Sequence, residues 1–307
     1  MTRAIEKIPV ACLGLIACLG LSACKSEAPK EEEKKEEKQE PAPLPEPDNT
    51  PVEPRFDLSG PVPPETSAVL FSVDGSLLPI GCFDKAKNAL ASGSDCAALV
   101  AEGSEVYMED SFGKKALEKT GAGTANSLCG DEGALPVAAL TEGAVYDWAV
   151  WPKSLGPTFK QISPDTWSDR GARLEEVEAK AVQAAMAKVR NVNGEFQPKQ
   201  KASIDIDGDG KDELFVSAIM LNPSDPDTYL VSGLFVAMGG DLGTMTLVEK
   251  AKPGRADVIR LRGVVDLDGD GKRELWTGVL FDGGNGDHVV QFDGTTAKPL
   301  SKWTCGA

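Results

Sequence analysis

The chain of 307 residues contains one histidine, His288, and neither a Gly-x-Ser-x-Gly run nor a histidine-based metal-hydrolase motif. A single histidine beside Asp287 supplies no nucleophile, base and orienting group, so a surface or hairpin histidine is expected and the chain is not read as an enzyme. Basic residues are also scarce: 32 Lys and Arg stand against 48 Asp and Glu, giving a formal charge of −16. Binding to a phosphate backbone requires clustered cations, which excludes a nucleic-acid partner. The balance suits a solvated surface and divalent cations instead. Apolar sequence is interrupted early, since the run from Ile8 to Leu21 is too short for a comfortable membrane span of about 20 residues.

That first run has another use. Arg3 and Lys7 precede it and Leu21-Ser22-Ala23-Cys24 closes it, the anatomy of an export signal over residues 1–23. The last four residues resemble the bacterial lipobox, which implies cleavage before Cys24 and lipidation of that cysteine. Several acyl chains anchor firmly where one does not, so the implied partner is a lipid bilayer. Lys25 in place of aspartate, on the same resemblance, favours the outer membrane, on its periplasmic or surface-exposed side. Residues 24–55 then hold a Lys/Glu run and six prolines between Pro41 and Pro54, a composition that forms no core and reads as a charged, proline-rich tether.

Removal of the signal discards Cys12 and Cys18, lipid takes Cys24, and Cys82, Cys96, Cys129 and Cys305 remain. An even number outside the cytoplasm predicts two disulfides, with three connectivities open. The favoured pairing is Cys82–Cys96, a short local loop, and Cys129–Cys305, a long closure. A catalytic thiol finds no histidine near any cysteine in the sequence.

Residues 56–307 are expected to form one β-rich α+β domain of antiparallel strands and hairpins. Ser67–Val73 reads as a strand before the Asp74-Gly75 turn, and short segments follow at Cys96–Ala101 and Val106–Met108. Tyr146, Trp148 and Trp151 mark the packed face of another strand. Between Asp169 and Arg190, Leu174, Val177, Ala181, Ala184, Ala185 and Val189 recur at helical spacing, predicting one long amphipathic helix capped by Ser168 or Asp169 and packed on a sheet.

The most informative feature is a repeat: Asp205-Ile-Asp207-Gly-Asp209-Gly-Lys211-Asp-Glu213 returns as Asp266-Leu-Asp268-Gly-Asp270-Gly-Lys272-Arg-Glu274. Calcium takes six to eight oxygen ligands, and carboxylates at loop positions one, three and five converge only when glycines at four and six let the chain curl. The backbone carbonyls of Lys211 and Lys272 and the carboxylates of Glu213 and Glu274 would complete two shells. Magnesium fits less well, since it demands stricter octahedral geometry. Neither loop is an EF-hand, because Val216 and Thr277 stand where that motif has its glutamate. Asp282-Gly-Gly-Asn-Gly-Asp287 lacks the one-three-five pattern and reads as a hairpin turn.

Strand-forming residues flank both loops. Strand, Asp-x-Asp-Gly-Asp-Gly-x-x-acid-Leu, strand, over about residues 202–293, resembles the FG-GAP/VCBS repeats of bacterial surface proteins and integrin-α-like propellers. The resemblance implies structural calcium in β-hairpins and a surface binding, adhesion or envelope role with a protein or glycan ligand. Glutamate replaces aspartate at position nine, and two repeats fall short of the blades a closed propeller needs. The alternative from another class is an extracytoplasmic hydrolase with a carboxylate site that spacing alone does not select.

Overall fold

A computed structural model describes residues 66–73, 75–124, 137–138 and 146–306. The export signal, Cys24, the tether and Cys129 lie outside the described residues, and Cys305 is described by its backbone alone.

Strand-forming runs separated by turns fold into antiparallel meanders. In chain order, β1 (Ala68–Val73), β2 (Leu77–Asp84) and β3 (Ala89–Ser92) are followed by a one-turn helix α1 (Gly93–Cys96). Then come β4 (Glu105–Glu109), β5 (Lys115–Lys119), β6 (Trp148–Trp151) and the two-residue β7 (Lys160–Gln161). The long helix α2 (Glu176–Val189) leads into β8 (Phe196–Ile204), β9 (Glu213–Asn222), β10 (Asp225–Ala237) and β11 (Thr246–Lys250). Last are β12 (Val258–Val265), β13 (Glu274–Phe281), β14 (Gly284–Phe292) and β15 (Ala297–Gly306). The strand orders are β3-β2-β1-β6-β4-β5, β11-β10-β9-β8 and β15-β14-β13-β12-β7. Among the described residues these sheets do not close into a barrel.

The sheet ending in β15 is the middle layer, as its alternating side chains show. Leu275, Val264 and Val290 pack with Phe215, Leu234 and Val236 of the β8–β11 sheet. Their neighbours Trp276, Val265 and Val289 pack on the other face with Leu70, Tyr107, Trp148 and Val150 of the first sheet. A strand buried on both faces reads as a nearly continuous apolar run, which is why Leu275-Trp-Thr-Gly-Val-Leu-Phe281 shows no polar alternation. Each large side chain taken from water there stabilises the fold by about 1.5–3 kcal/mol.

The disulfide Cys82–Cys96 joins β2 to α1, with the Cα atoms 5.6 Å apart. The segment Cys96–Ala101 is helical at its start, not extended, because Ala97–Leu99 continues from α1 as a 3-10 turn. Val106–Met108 lies within β4, and Trp148 begins β6 with its side chain 1% exposed. Asp282-Gly283 is the two-residue link of the β13–β14 hairpin, with Phe281 paired to Gly284 and Gly283 at φ 86°.

Helix α2 is shorter than its predicted span. Residues 168–172 instead follow the edge of β8: the Ser168 and Ala172 amides donate to the carbonyls of Lys199 and Pro198 at 2.9 and 2.8 Å. A sheet edge that satisfies these amides competes with the first helical turns. The cap is therefore Glu175, whose amide donates to Glu178 Oε2 at 2.8 Å, and not Ser168 or Asp169. Of the expected stripe, Ala185 is buried and Leu174, Ala181 and Val189 pack against the same cluster, but the face is shifted toward Val182 and Met186. Val182, Ala185 and Met186 pack on Val216, Val231 and Phe235, while Val177 is 62% exposed and Ala184 faces solvent. Val182 and Met186 lie one turn apart and carry more apolar surface than Ala184, so they take the sheet.

Candidate functional site

Each acidic loop closes a hairpin, 205–212 between β8 and β9 and 266–273 between β12 and β13. The curl has a local cause. Asp207 Oδ1 accepts the Asp209 amide at 3.1 Å, and Asp209 Oδ1 accepts the Lys211 amide at 2.8 Å, two successive Asx turns. Gly208 and Gly210 occupy φ 77° and 84°, where other residues are strained. The second loop repeats this geometry with Asp268 to Asp270 at 3.1 Å, Asp270 to Lys272 at 2.8 Å, and Gly269 and Gly271 at φ 72° and 88°.

Both ends of each loop are held by buried groups. Glu213 is 1% exposed and its Oε2 accepts the Ile206 amide at 2.7 Å; Glu274 is 2% exposed and accepts the Leu267 amide at 2.8 Å. Ile206 and Leu267, at loop position two, are themselves buried in the two faces of the core. Sequence reasoning passed over these apolar residues, although an apolar side chain between two aspartates is the visible signal that the loop is pinned inward.

The result is two groups of carboxylates, Asp205, Asp207 and Glu213 in one and Asp266, Asp268 and Glu274 in the other, each with one oxygen per residue within 4.8 Å of the others. Asp209 and Asp270 lie on the same loops outside these groups. The Lys211 side chain is 72% exposed, with its ammonium 3.9 Å from Asp209 Oδ2, and Lys272 is exposed as well. The donor set is all oxygen, so each group could hold a metal ion.

Electrostatics distinguish the two loops. Burial pushes Glu274 up to about 8, against help from the Leu267 amide and with added repulsion from Asp268 and Asp266. Burial likewise raises Asp266 and Asp268. Asp266 Oδ1 is buried with no hydrogen-bond partner among the described residues. A buried acceptor left unpaired is costly, and a cation among three carboxylates would satisfy it. In the first loop Glu213 is raised by burial, but Asp205 is held below the usual carboxylate range. Burial raises Asp205, and the amides of Gly208 and Gly210 together with Arg273 outweigh it.

The loops are neighbours. The Arg273 amide donates to the Ile206 carbonyl at 2.9 Å and its guanidinium donates to the Asp205 carbonyl. A methyl group on Gly208 would lie 3.7 Å from the Gly271 carbonyl. Position eight, Asp212 in one copy and Arg273 in the other, is where the repeats differ in charge, and that mismatch is the sequence trace of the contact. The second loop also borders two cavities of about 440 and 260 Å³, which share Asp270, Gln291 and Lys298.

His288 is buried on β14 and not on the surface. Its Nδ1 lies 2.5 Å from Glu249 Oε1, and Thr277 donates to Glu249 Oε2 at 2.6 Å. It lines neither of these cavities. No helix among the described residues is long and apolar enough to cross a membrane. Comparison with protein-family models, curated proteins and solved structures finds no match for the chain.

Proposed function

We propose that the chain is a lipid-anchored module of the bacterial cell envelope whose two hairpin loops each bind a structural calcium ion, serving surface binding, adhesion or envelope architecture. The observation that carries the reading is the duplicated three-carboxylate group, closed in each copy by a glutamate buried against the core. Asp205, Asp207 and Glu213 would hold one ion and Asp266, Asp268 and Glu274 the other, with Asp209, Asp270 and the carbonyls of Lys211 and Lys272 completing the shells. Calcium would neutralise Glu213, Asp266, Asp268 and Glu274, which burial otherwise pushes toward protonation, so its binding contributes directly to folding. The FG-GAP/VCBS-like pattern and the lipobox-like Leu21–Cys24 support the envelope setting.

Thermal melting of the full chain in calcium and in chelator tests the metal. Calcium at about 100 times its dissociation constant should stabilise by about 2.7 kcal/mol per site. Asp207→Ala and Asp268→Ala should each remove part of that gain. A parent chain that melts at one temperature in both buffers refutes the reading.

A further inference from the structure

Away from the acidic loops, where all three sheets meet, a cavity of about 210 Å³ is lined by Ser111 and Asp147 of the first sheet's loops, Gln200 of β8, Arg260 and Arg262 of β12, and Trp167. Two guanidinium groups on one strand face would normally repel. Here Gly278 of β13 makes room for them: a Cβ there would sit 2.8 Å from Arg262 Cδ and 3.4 Å from Arg260 Nε. Arg262 is neutralised, donating to Asp287 Oδ1 at 2.6 Å and lying over the Trp276 ring at 4.1 Å. Asp287 is fully buried and also accepts the Trp276 indole N–H at 2.7 Å.

The other polar groups on the wall are spoken for. Asp147 Oδ2 accepts the Ser111 amide at 2.5 Å and its hydroxyl as well. The Gln200 side chain exchanges hydrogen bonds with the Leu261 backbone at 2.8 and 2.9 Å and donates to Thr166 at 3.1 Å. Gln161 accepts the Trp148 indole at 3.0 Å, and the Trp167 indole donates to Asp169 at 3.0 Å. Arg260 is different. It forms no ion pair within 4.0 Å among the described residues, and its Nε is buried without a hydrogen-bond partner. Burial, and then the Arg262 charge beside it, hold its pKa below the usual range against the opposing influence of Asp287 and Asp147.

We propose that this cavity is a binding site for a small carboxylate, with the Arg260 guanidinium receiving the anion and Trp167 and Ile162 covering the ligand's apolar part. A guanidinium offers parallel donors matched to a carboxylate's two oxygens. The volume of about 210 Å³ holds roughly seven waters, which suits the carboxylate end of a compact organic acid. Arg262 and Asp287 position the site by keeping the neighbouring cation paired, so that of the two guanidinium groups Arg260 is the one without an ion pair among the described residues. The site is independent of the acidic loops and does not rest on calcium.

Sodium acetate titrated into the full chain, against sodium chloride at matched ionic strength, tests the assignment by calorimetry and tryptophan fluorescence. Saturable acetate binding in about the millimolar range is expected. Arg260→Gln should weaken it about tenfold or more, and Arg260→Lys, which keeps the charge and loses the fork, by less. Melting curves of both variants establish that they fold. Should Arg260→Gln fail to fold, the parent titration and Arg260→Lys decide the matter. A parent that binds acetate no better than chloride, a folded Arg260 variant pair with parental affinity, or saturable phosphate binding without acetate binding would each overturn the proposal.

Discussion

Arg273, in the second acidic loop, donates its guanidinium to the backbone carbonyl of Asp205, the first residue of the other loop. The Arg273 amide reinforces the contact by donating to Ile206 at 2.9 Å. Residues 68 positions apart thus share one rigid junction. If each loop holds an ion, ordering one should help to order the other, which is coupling in the thermodynamic sense. In the parent background Asp268→Ala should weaken calcium binding by the first loop as well as abolish it in the second. After Arg273→Met that indirect effect should shrink by about 1 kcal/mol, at the low end of ordinary site coupling. Calorimetric titration of the four proteins gives the cycle, and an Asp268→Ala effect of equal size in both backgrounds would leave Arg273 without a coupling role.

His288 on β14 and Glu249 on β11 meet across the interface between two sheets, both nearly buried, with Thr277 on the second carboxylate oxygen. Removing the histidine leaves a nearly buried acidic group with Thr277 as its one remaining side-chain partner. His288→Ala should therefore cost about 3 kcal/mol, as for other broken buried pairs. Removing both members by Glu249→Leu with His288→Leu should cost much less, since no buried polar group is then orphaned. Urea denaturation of the two variants checks the order; a double variant less stable than His288→Ala would contradict it.

Glu178 of α2 receives the Lys201 ammonium at 2.7 and 2.8 Å, tying the helix to β8. Burial raises its pKa, but the Lys201 hydrogen bonds, the Glu175 amide and the Lys201 charge outweigh this and hold it below the usual carboxylate range. A carboxylate with a lowered folded pKa contributes stability above its unfolded value and loses it as pH falls through the folded one. The contribution should be about 1 kcal/mol or less for so partly open a pair. Glu178→Gln should accordingly lower stability at neutral pH and converge with the parent in acid. Parallel melting curves across the acid limb measure this, and a constant difference at every pH would refute it.

Much of the site was legible in one dimension because its geometry is local. Asx turns at Asp207, Asp209, Asp268 and Asp270, and glycines at positive φ between them, follow from spacing within nine residues. The Cys82–Cys96 bond joins residues only 14 apart. The hairpin at Asp282-Gly283 announced itself by composition. Helix α2 was visible by period but not by boundary, because the amides of Ser168 and Ala172 are taken by the edge of β8, a competitor that local propensity does not contain. The inward face of that helix depended likewise on which residues the sheet met.

What the sequence by itself determined is the content of each turn and strand: which residues curl, which are apolar, and which carry charge at fixed spacing. Only the tertiary structure decided which of these meet. Stacking three sheets buries Glu213 and Glu274, turns His288 inward onto Glu249, sets Arg273 on the neighbouring loop, and places Arg260 in a cavity with no ion pair among the described residues. The reason is physical. Turn geometry is set by short-range sterics and hydrogen bonds between near neighbours, whereas burial and pairing of charge depend on surfaces brought together from distant parts of the chain.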